Sequence, residues 1–490
     1  MGALVAALPL GVILALMLGL GRSALVAGAA GLAVAVVAAL AVFDPGGPLP
    51  TTTAFAGIGA EALHATGVIL WIVLPALALY EFQTAAGSVG RIRAALAALT
   101  AERRLQAVLI AWFFGLFMEG AAGFGVPVAL AAPLLAGLGI APVRAVVLAL
   151  LGHAAGVSFG AVGTPTLAQA ATTGVAAGEI AVAVASLHAV FATVLLGFVV
   201  VLAEDGWPDR RTLVLGLLAA PCFLLPFLAV AVFTGPELPS LLGALVGIVV
   251  YAAILRRAGG GGTDLRALLP DLVPYLCIVV AVLATRLAPP VREALSGLAI
   301  GWDYAGAFEG SFAPLYHPGT LLFAGLAVGA LATGRGALLV PSLAAAVRRL
   351  VPVALTLAVM LTLSRLMVHA GMIDALAEAA ARTGPVWPLI APWIGVLGTF
   401  VTGSATASNI LFSAFQVSTA DALSLSPVAM LAAQGLGSAI GNVVAPHNII
   451  AGSATVGLTA REGAVLARTV PACLVYALAG GASLLVWGAL

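Results

Sequence analysis

Charged residues are scarce in this sequence. Of its 490 residues only 8% are charged, whereas 62% are hydrophobic, and the mean hydropathy is +1.19. A soluble protein of this length needs more charged side chains to cover its surface, so the composition excludes that class. Most of the surface is therefore expected to face the lipid bilayer. The formal net charge of +1 provides no electrostatic basis for binding nucleic acid.

Lysine is absent and cysteine is rare. All 20 basic residues are arginine, which, together with the abundance of Ala and Gly, we attribute to genomic base composition. Cys222, Cys277 and Cys473 each lie in an apolar run, without a CxxC or Cys/His spacing. This pattern indicates buried apolar residues rather than disulfides or metal ligands. The apolar N-terminus lacks a basic stretch, so we expect a first membrane span there rather than a removable signal.

Long apolar runs, by contrast, are abundant. Runs of roughly 17 to 25 residues predict about twelve membrane spans. They lie near 3–20, 23–42, 64–86, 144–175, 180–203, 212–233, 238–255, 269–288, 318–333, 352–370, 426–455 and 464–488. The stretch 51–63 is short and carries Glu61, which leaves a thirteenth span open. The predicted fold class is an all-α polytopic membrane protein with about 12 to 13 transmembrane helices.

Two further apolar segments, 104–140 and 387–422, are interrupted in the middle by residues that favour a break in a helix. The interruption is Gly-rich in the first segment and rich in Ser, Thr and Asn in the second. Such a pattern predicts two re-entrant hairpins. About 40 residues after each hairpin interruption a second one follows, at 158–165 and at 441–448. Corresponding broken segments in two halves of a chain indicate the binding site of a secondary transporter.

The arginine positions provide an independent test of this topology. If 3–20 begins outside and each hairpin enters and leaves on one face, sixteen arginines lie in the cytoplasm. Only Arg286, Arg292 and Arg382 then lie outside. This is a strong positive-inside bias. It predicts two inverted repeats, at about 23–203 and 318–490, joined by linker spans at about 204–317, in a single membrane domain.

The four interruptions together predict a site for a small carboxylate. Broken helix ends supply backbone N–H groups and a positive dipole, and glycine allows a ligand to approach the backbone closely. The candidate substrate-binding residues are Gly120, Ala121, Gly123, Phe124, Gly125, Ser158, Gly163, Thr164, Ser404, Thr406, Ser408, Asn409, Gln434, Asn442, His447 and Asn448. Helix-packing glycines are the alternative. That alternative does not account for Ser, Thr and Asn clustered beside a glutamate.

Three residues are candidates for proton coupling: Glu119, His153 and His447. Glu119 is the only acidic residue at a hairpin tip, and an intramembrane carboxylate is costly unless it is protonated or paired. It is interpreted as a proton carrier. The alternative is a structural role, in which Glu119 accepts hydrogen bonds from the hairpin amides and holds the tip rigid. His447 lies inside an interruption. His153 lies five residues before the interruption at 158–165. The alternative for His153 is a structural role as a buried, hydrogen-bonded histidine.

Other ionisable residues within spans have simpler explanations. His188 stands alone on an apolar span, which favours a packing role. Arg365 and His369 are four residues apart and so lie on one helical face. An arginine there is able to attract a carboxylate, but snorkelling to the outer interface is the expected use.

Several of these motifs resemble a known family. They are Ala101-Glu102-Arg103-Arg104-Leu105-Gln106, Glu119-Gly120-Ala121-Ala122-Gly123-Phe124-Gly125 with Pro127-Val128, Phe159-Gly160-Ala161 through Pro165, and Gly403-Ser404 through Ser408-Asn409. The chain resembles the lactate permease family of bacterial secondary transporters over about 60–180 and 350–470. That resemblance implies symport of L-lactate or glycolate with protons across the inner membrane. It also implies an elevator mechanism against a homodimeric scaffold.

The sequence departs from the family pattern at three places in the proposed site. Ala405 stands where the family has Asp after the hairpin Ser, and His153-Ala154-Ala155-Gly156 replaces an Asn-Thr-Ala-Pro run. Ala445-Pro446-His447 replaces Ser-Pro-Gln. The fold and the transport class do not depend on these positions, but the identity of the substrate does.

The predicted function is proton-coupled symport of L-lactate or a related small 2-hydroxy monocarboxylate. A sodium-coupled carrier, or one for larger carboxylates, is the alternative within transport. An intramembrane enzyme is the remote alternative, since neither a Gly-x-Ser-x-Gly nor a His-Glu-x-x-His motif is present. No cofactor is expected, because the proton motive force drives the transport, although sodium stays open as the coupling ion. The expected partners are the carboxylate, protons and the bilayer.

The arginine bias yields a first prediction. A cysteine that replaces Arg210 should react with an impermeant thiol reagent from the cytoplasmic side, because the positive-inside rule places that loop in the cytoplasm. A cysteine at Asp303 should react from the outside. Labelling of both positions from the same side would contradict the inverted arrangement.

Overall fold

The computed structural model describes residues 2–20, 22–45, 49–259, 265–458 and 461–487. These residues are almost entirely helical. Among them, twelve helices are long and apolar enough to cross a membrane, and three shorter apolar helices accompany them. The predicted all-α polytopic fold class is therefore confirmed.

The helices of the first half alternate between long spans and short segments. They are α1 Gly2–Leu14, α2 Ala24–Ala41, α3 Thr51–Ala85, α4 Ser88–Ala97, α5 Arg103–Ala107, α6 Gly115–Ala121, α7 Val126–Gly137, α8 Pro142–His153, α9 Gly160–Thr173 and α10 Ala177–Leu202. Two π-helical stretches, Ala15–Gly19 and Val108–Phe114, continue α1 and join α5 to α6. A 3₁₀ helix, Ala154–Phe159, joins α8 to α9.

The rest of the chain contains the linker spans and the second half. The helices are α11 Arg210–Leu217, α12 Ala219–Thr234, α13 Pro239–Arg257, α14 Leu269–Leu287, α15 Pro289–Ser296, α16 Pro318–Ala332, α17 Leu339–His369, α18 Met372–Ala381, α19 Trp387–Thr402, α20 Ala405–Ala422, α21 Pro427–Gly441, α22 Pro446–Thr455 and α23 Glu462–Trp487. The strands β1 Ile300–Tyr304 and β2 Phe308–Phe312 form an antiparallel pair. The 3₁₀ helices are Leu265–Leu268, Gly336–Leu338 and Gly384–Val386.

The structure differs from the sequence prediction at three places. The stretch 51–63 is not a separate span but the first part of α3, a helix of 35 residues. Glu61 does not end that helix, because it pairs with His369 at 2.9 Å and with Arg365 at 3.8 Å. Helix α17 begins at Leu339 rather than near 352. The linker also contains the two-stranded hairpin, which the all-helical prediction missed.

The ion pairs between α3 and α17 change the interpretation of Arg365. Its guanidinium does not snorkel outward; it faces Glu61 and donates a hydrogen bond to the carbonyl of Ala171 in α9. At the opposite end of α3, Arg349 of α17 pairs with Glu81 at 2.8 Å. The two long antiparallel helices are thus held together near both ends.

Further polar networks fix the linker spans. Asp271, buried at the start of α14, accepts hydrogen bonds from Ser88, Arg91 and Arg335, which ties α14 to α4. Arg286, at the end of α14, binds Glu237 at 2.5 Å. The neighbouring His317 accepts a hydrogen bond from Gly319 N–H at the start of α16. Burial, reinforced by the charge of Arg286, lowers the pKa of His317 to about 4, so the imidazole stays neutral at this position.

Both predicted hairpins consist of two helices around a short turn. The arm that begins with α5 ends at Ala121 and the next helix, α7, begins at Val126; α19 ends at Thr402 and α20 begins at Ala405. The motif at residues 101–106 anchors the first arm. Glu102 caps α5 by accepting hydrogen bonds from Arg104 N–H and Leu105 N–H, and the Arg104 guanidinium donates to carbonyls at the end of α10, including that of Val200 at 2.9 Å.

The two long spans predicted to be broken are both broken. The span 142–173 consists of α8, a 3₁₀ turn and α9, whereas 427–455 consists of α21 and α22 separated by residues 442–445. Each broken span packs against the hairpin of the other half of the chain: α9 contacts α20, and α22 contacts α7. The four interruptions are thereby drawn toward one another.

Candidate substrate site

All four interruptions meet at one small cavity of about 60 Å³. Its lining residues are Glu119, Gly123, Phe124, Gly125, Val157, Gly160, Ala161, Thr164, Pro165, Gly403, Ser404, Ala405, Thr406, Asn442 and Asn448. Nine of them are residues that the sequence predicted. The glycine, hydroxyl and amide residues of two hairpin tips and two helix breaks therefore form one site, drawn from both halves of the chain.

Helix N-termini converge on this cavity. Helix α7 begins after Gly125, whose positive φ of 78° suits glycine, and α20 begins after Ser404. Helix α22 begins after Ala445, and α9 resumes regular helical geometry at Thr164. The first N–H groups of a helix have no intrahelical partner, and its N-terminus carries about half a positive charge. Such an arrangement favours an anion in the cavity.

Glu119 is the carboxylate of the cavity. Its side chain is only 6% exposed, and Oε2 lies 3.8 Å from Nε2 of His153. The other ring nitrogen of His153, Nδ1, lies 2.6 Å from the carbonyl oxygen of Ala149. Because a carbonyl only accepts, Nδ1 carries the hydrogen, which leaves Nε2 as the basic nitrogen of the neutral ring, facing Glu119. The basic nitrogen of His153 and the Glu119 carboxyl group therefore face each other, at a distance longer than a hydrogen bond.

Gly160 leaves the room for that carboxylate. A Cβ at this position would lie 2.1 Å from Oε1 of Glu119. Any other residue would thus displace the carboxylate from its place in the cavity wall. Gly160 is the glycine of the Phe159-Gly160-Ala161 motif. The space that the Glu119 carboxylate needs explains why the motif has a glycine at this position.

Two hydroxyl groups face the cavity as available donors. The hydroxyl of Thr406 has no hydrogen-bond partner among the described residues. Ser404 Oγ accepts a bond from the Ala407 N–H at 3.3 Å, so its own hydrogen is free to donate. Val157 and Ala405 pack together and form an apolar part of the wall. The cavity accordingly offers donors on one side and an apolar surface on the other.

The wall at residues 161–163 has an unusual backbone. Ala161 and Val162 have φ values of 42° and 57°, and Gly163 follows at 82°. Left-handed geometry costs roughly 1 to 2 kcal/mol for each residue with a Cβ. The strained segment is held by hydrogen bonds, among them one from the Thr164 hydroxyl to the carbonyl of Ala161 at 2.6 Å. Strained backbone of this kind is concentrated at functional sites.

A wide vestibule of about 870 Å³ opens beside the small cavity. The two share Phe124, whose side chain is 40% exposed, together with hairpin-tip residues such as Ser404. His447 lies in the vestibule rather than in the small cavity. The outer wall of the vestibule contains Arg22 and Arg349, both of which the topology prediction places on the cytoplasmic side. The vestibule therefore adjoins the small cavity, and one of the two arginines that line it, Arg349, is paired with Glu81.

Several predicted residues lie behind the cavity rather than in its wall. Ser158 donates its hydroxyl hydrogen to the carbonyl of Gly435 and contacts Nε2 of His188 at 2.9 Å. Asn409 donates to the carbonyl of Pro165 at 3.0 Å. Both side chains therefore join a broken span of one half to a helix of the other half. They support the position of the cavity wall.

A buried amide network extends from this support. Gln434 donates to Ser408 Oγ at 3.2 Å, and Gln416 donates to Gln434 at 3.1 Å. Trp387 in turn donates to Gln416 at 3.1 Å. The predicted residues Ser408 and Gln434 thus bond to each other, which fixes α20 against α21.

Some of the predicted glycine positions are required by packing. A Cβ on Gly120 would lie 2.5 Å from the backbone nitrogen of Leu241 in α13, and one on Gly163 would lie 2.4 Å from the carbonyl of Pro236. Ala121 is buried and does not line the cavity. Helix-packing glycines, the alternative considered for the sequence, thus account for Gly120 and Gly163 but not for the tip residues that line the cavity.

Sequence comparisons relate the chain to permeases. The profile of the L-lactate permease family matches residues 2–260 and 306–487. The glycolate permease GlcA of Escherichia coli (strain K12) is 29% identical over 92% of this chain and 89% of its own length. The L-lactate permease of Streptococcus iniae is 32% identical over 74% of this chain and 80% of its own length. That of Escherichia coli (strain K12) is 28% identical over 87% and 86%.

Two solved transporter structures share the fold. The YdaH transporter of Alcanivorax borkumensis superposes with a TM-score of 0.51 at 16% identity, covering 88% of this chain and 87% of its own. MtrF of Neisseria gonorrhoeae superposes with a TM-score of 0.50 at 15% identity, covering 95% of each chain. At this level of identity the similarity concerns the fold.

The site geometry predicts different effects for a residue in the wall and one behind it. Thr406→Val removes the free hydroxyl but keeps the shape of the side chain, so it should weaken the binding of a small carboxylate by about 1.5 to 3 kcal/mol without lowering the melting temperature. Asn409→Ala should also weaken binding, by about 1 to 3 kcal/mol, but should lower the melting temperature, because the amide joins α20 to α9.

Both effects are measured by ligand titration and thermal unfolding of the purified protein. Thr362→Val is the matched control, since its hydroxyl bonds the carbonyl of Ala358 within α17, away from the cavity. Unchanged affinity in folded Thr406→Val protein would remove this hydroxyl from the site. An unchanged melting temperature in Asn409→Ala would show that the bond to Pro165 does not support the fold.

Proposed function

The chain belongs to the L-lactate permease family, and we propose that it is a proton-coupled symporter of L-lactate or a related small 2-hydroxy monocarboxylate. Members of this family are permeases, not enzymes. With twelve apolar helices among its described residues, the protein is a multi-pass protein of the bacterial inner membrane that transports small hydroxy acids. The observation that supports the finer proposal is the meeting of Glu119 with four helix N-termini in one cavity.

The cavity suits each part of such a substrate. The substrate carboxylate accepts hydrogen bonds from the N–H groups at the hairpin tips. It also accepts them from the hydroxyls of Ser404 and Thr406, which are free to donate. The substrate hydroxyl forms hydrogen bonds with the amide nitrogen of Asn442 and the amide oxygen of Asn448, which line the same wall. The amide nitrogen of Asn448 is already bonded to Asn442. The apolar substituent faces Val157 and Ala405. The apolar side chain of Ala405 favours a substrate whose substituent is a methyl group over one whose substituent is a hydrogen atom.

Glu119 supplies the coupling to protons. Two negative charges in one cavity of low dielectric oppose each other, so a bound carboxylate favours the protonated form of the pair Glu119–His153. By reciprocity, the proton raises the affinity for the carboxylate by the same factor. A site that holds the anion without the proton is destabilised by this repulsion, whereas the empty site and the site that holds both are not. The anion and the proton are therefore transported together. We assign the relay of protons between the vestibule and this pair to His447, which lines the vestibule.

An elevator mechanism completes the proposal. The moving unit consists of the two hairpins and the two broken spans, which interlock through α9, α20, α7 and α22. The stationary unit contains α3 and α17, the long helices that are paired by ions near both ends. Helices α4 and α18 connect the units along the membrane interface as arms, and a homodimer anchors the stationary unit. The two halves are inverted relative to each other.

Uptake by proteoliposomes tests the function directly. Radiolabelled L-lactate should accumulate when the outside is made acidic, and an imposed sodium gradient alone should have no effect. Unlabelled L-lactate should compete about tenfold better than glycolate, since one methyl group in a fitted apolar wall contributes about 1 to 3 kcal/mol. Accumulation that requires sodium would instead support the sodium-coupled alternative, and competition only by larger acids would exclude this substrate class.

A second experiment tests the role of Glu119. Glu119→Gln should still bind L-lactate and exchange internal for external substrate, since the neutral amide mimics the protonated carboxyl. It should not accumulate substrate in response to a pH gradient, because the site no longer exchanges a proton.

Glu179→Gln is the matched control, as Glu179 is exposed at the start of α10 and the change in charge is the same. It should accumulate substrate like the parent. If Glu119→Gln still accumulated L-lactate under an imposed pH gradient, Glu119 would have only a structural role. His153 or His447 would then be the proton carrier.

A further inference from the structure

The small cavity and the vestibule meet at the hairpin tips. Six residues line both of them, so these residues form the boundary between the two spaces, which we call the neck. They are Phe124, Gly125, Gly403, Ser404, Thr406 and Asn448. Phe124 is the only one of the six with a large apolar side chain. Its ring therefore has the greatest influence on how wide the neck is.

The turn between α6 and α7 fixes the backbone that carries this ring. Gly123, Phe124 and Gly125 have φ values of 57°, 51° and 78°, so three consecutive residues are left-handed. The N–H of Val126 donates to the carbonyl of Gly123 at 3.0 Å and closes the turn. A Cβ on Gly123 would lie 3.1 Å from the backbone nitrogen of Ala161, so the turn packs closely against the broken span. The ring is thus attached to a turn that is held in place at the neck.

Packing does not explain a phenylalanine at this position. The ring is 40% exposed, whereas that of Phe117 in the same hairpin is buried. A partly exposed ring removes less apolar surface from solvent and so contributes less to stability. Left-handed geometry also disfavours a residue with a Cβ, and such residues are concentrated at functional sites. The position between two cavities provides a functional reason for the ring.

The small cavity has the size of a short acid. One water molecule needs about 10 to 15 Å³ of such a cavity, so 60 Å³ accommodates about four to six non-hydrogen atoms. L-Lactate, with three carbons and three oxygens, is of this size. A 2-hydroxy acid with a longer substituent has to extend beyond the small cavity. The neck, where the cavity continues into the vestibule, is partly filled by the ring of Phe124.

We propose that Phe124 sets the upper size limit of the substrate. A short 2-hydroxy acid is enclosed behind the ring, whereas a bulky substituent collides with it. This role rests on the function proposed above, since it concerns selection among 2-hydroxy monocarboxylates at the same site. Phe124 acts on the size of the substituent, while the donors of the cavity bind the carboxylate.

Binding of a short and a long acid to the purified protein tests this role. L-Phenyllactate carries a phenyl ring on the methyl group of L-lactate, and calorimetric titration measures the affinity for each. The parent should bind L-lactate in preference to L-phenyllactate. Phe124→Ala should bind L-phenyllactate about tenfold more tightly or better, because the ligand ring takes the place of the deleted one. Its affinity for L-lactate should fall, because the cavity is no longer closed.

Two variants serve as controls. Tyr80→Ala deletes an aromatic ring from the vestibule wall outside the neck, so it should keep the selectivity of the parent. Phe124→Trp keeps a large ring in the neck and should still exclude L-phenyllactate. Phe124→Ala retains the Cβ, so the left-handed turn is strained to the same degree as in the parent. Melting temperatures verify that each variant is folded.

Thiol labelling tests the neck without any substrate. Val157 lines the small cavity but not the vestibule, so Val157→Cys places a thiol behind the neck. Methyl methanethiosulfonate should modify this thiol faster than benzyl methanethiosulfonate does. The addition of Phe124→Ala should remove the difference. The protein without Val157→Cys gives the background reaction of Cys222, Cys277 and Cys473.

The outcomes separate this role from the proposed function. Loss of affinity for both acids in Phe124→Ala, or the same change of selectivity in Tyr80→Ala, would overturn the role of the ring. So would equal labelling of Val157→Cys by the two reagents in the presence of Phe124. If the parent bound neither acid, the proposed function would fail, and the labelling rates alone would decide whether Phe124 limits access to the cavity.

Discussion

Inside a bilayer the backbone has no water with which to form hydrogen bonds, so an interrupted helix is stable only where protein surrounds it. The burial of the spans follows this constraint. The most apolar 18-residue stretch of Pro142–Thr173 is fully buried and that of Arg103–Ala121 is 94% buried, whereas the uninterrupted Ala24–Ala41 is 33% buried. The breaks are therefore enclosed at the centre of the molecule. The same enclosure gathers helix N-termini around one cavity, and the proposed anion site depends on that arrangement.

Much of this arrangement was predictable from the sequence because the signals are local. Clusters of Gly, Ser, Thr and Asn are unfavourable within an apolar span, so their positions predicted both hairpins and both breaks. The direction of individual side chains was not predictable. Ser158 faces His188, away from the cavity, whereas Gly160 lines the cavity. That direction depends on contacts with the other half of the chain.

Apolar and charged residues were misjudged for the same reason. Val157 and Ala405 line the cavity, but nothing in their own sequence separates them from core residues. The charge of Glu61 leaves a span at 51–63 open in the sequence, because its partners, Arg365 and His369, lie about 300 residues away in sequence and beside it in space. Composition and periodicity describe what one segment favours by itself. They do not describe which distant residue satisfies a buried charge.

The left-handed turn at residues 161–163 has a consequence for how the protein is made. Two of its residues, Ala161 and Val162, carry a Cβ in a conformation that an isolated segment avoids. The bonds that hold its neighbours come from later in the chain: Asn409 donates to Pro165, and Ser158 donates to Gly435. The first half thus enters the membrane during synthesis without a finished site. The cavity of the proposed site is complete only when α20 and α21 have been inserted and docked.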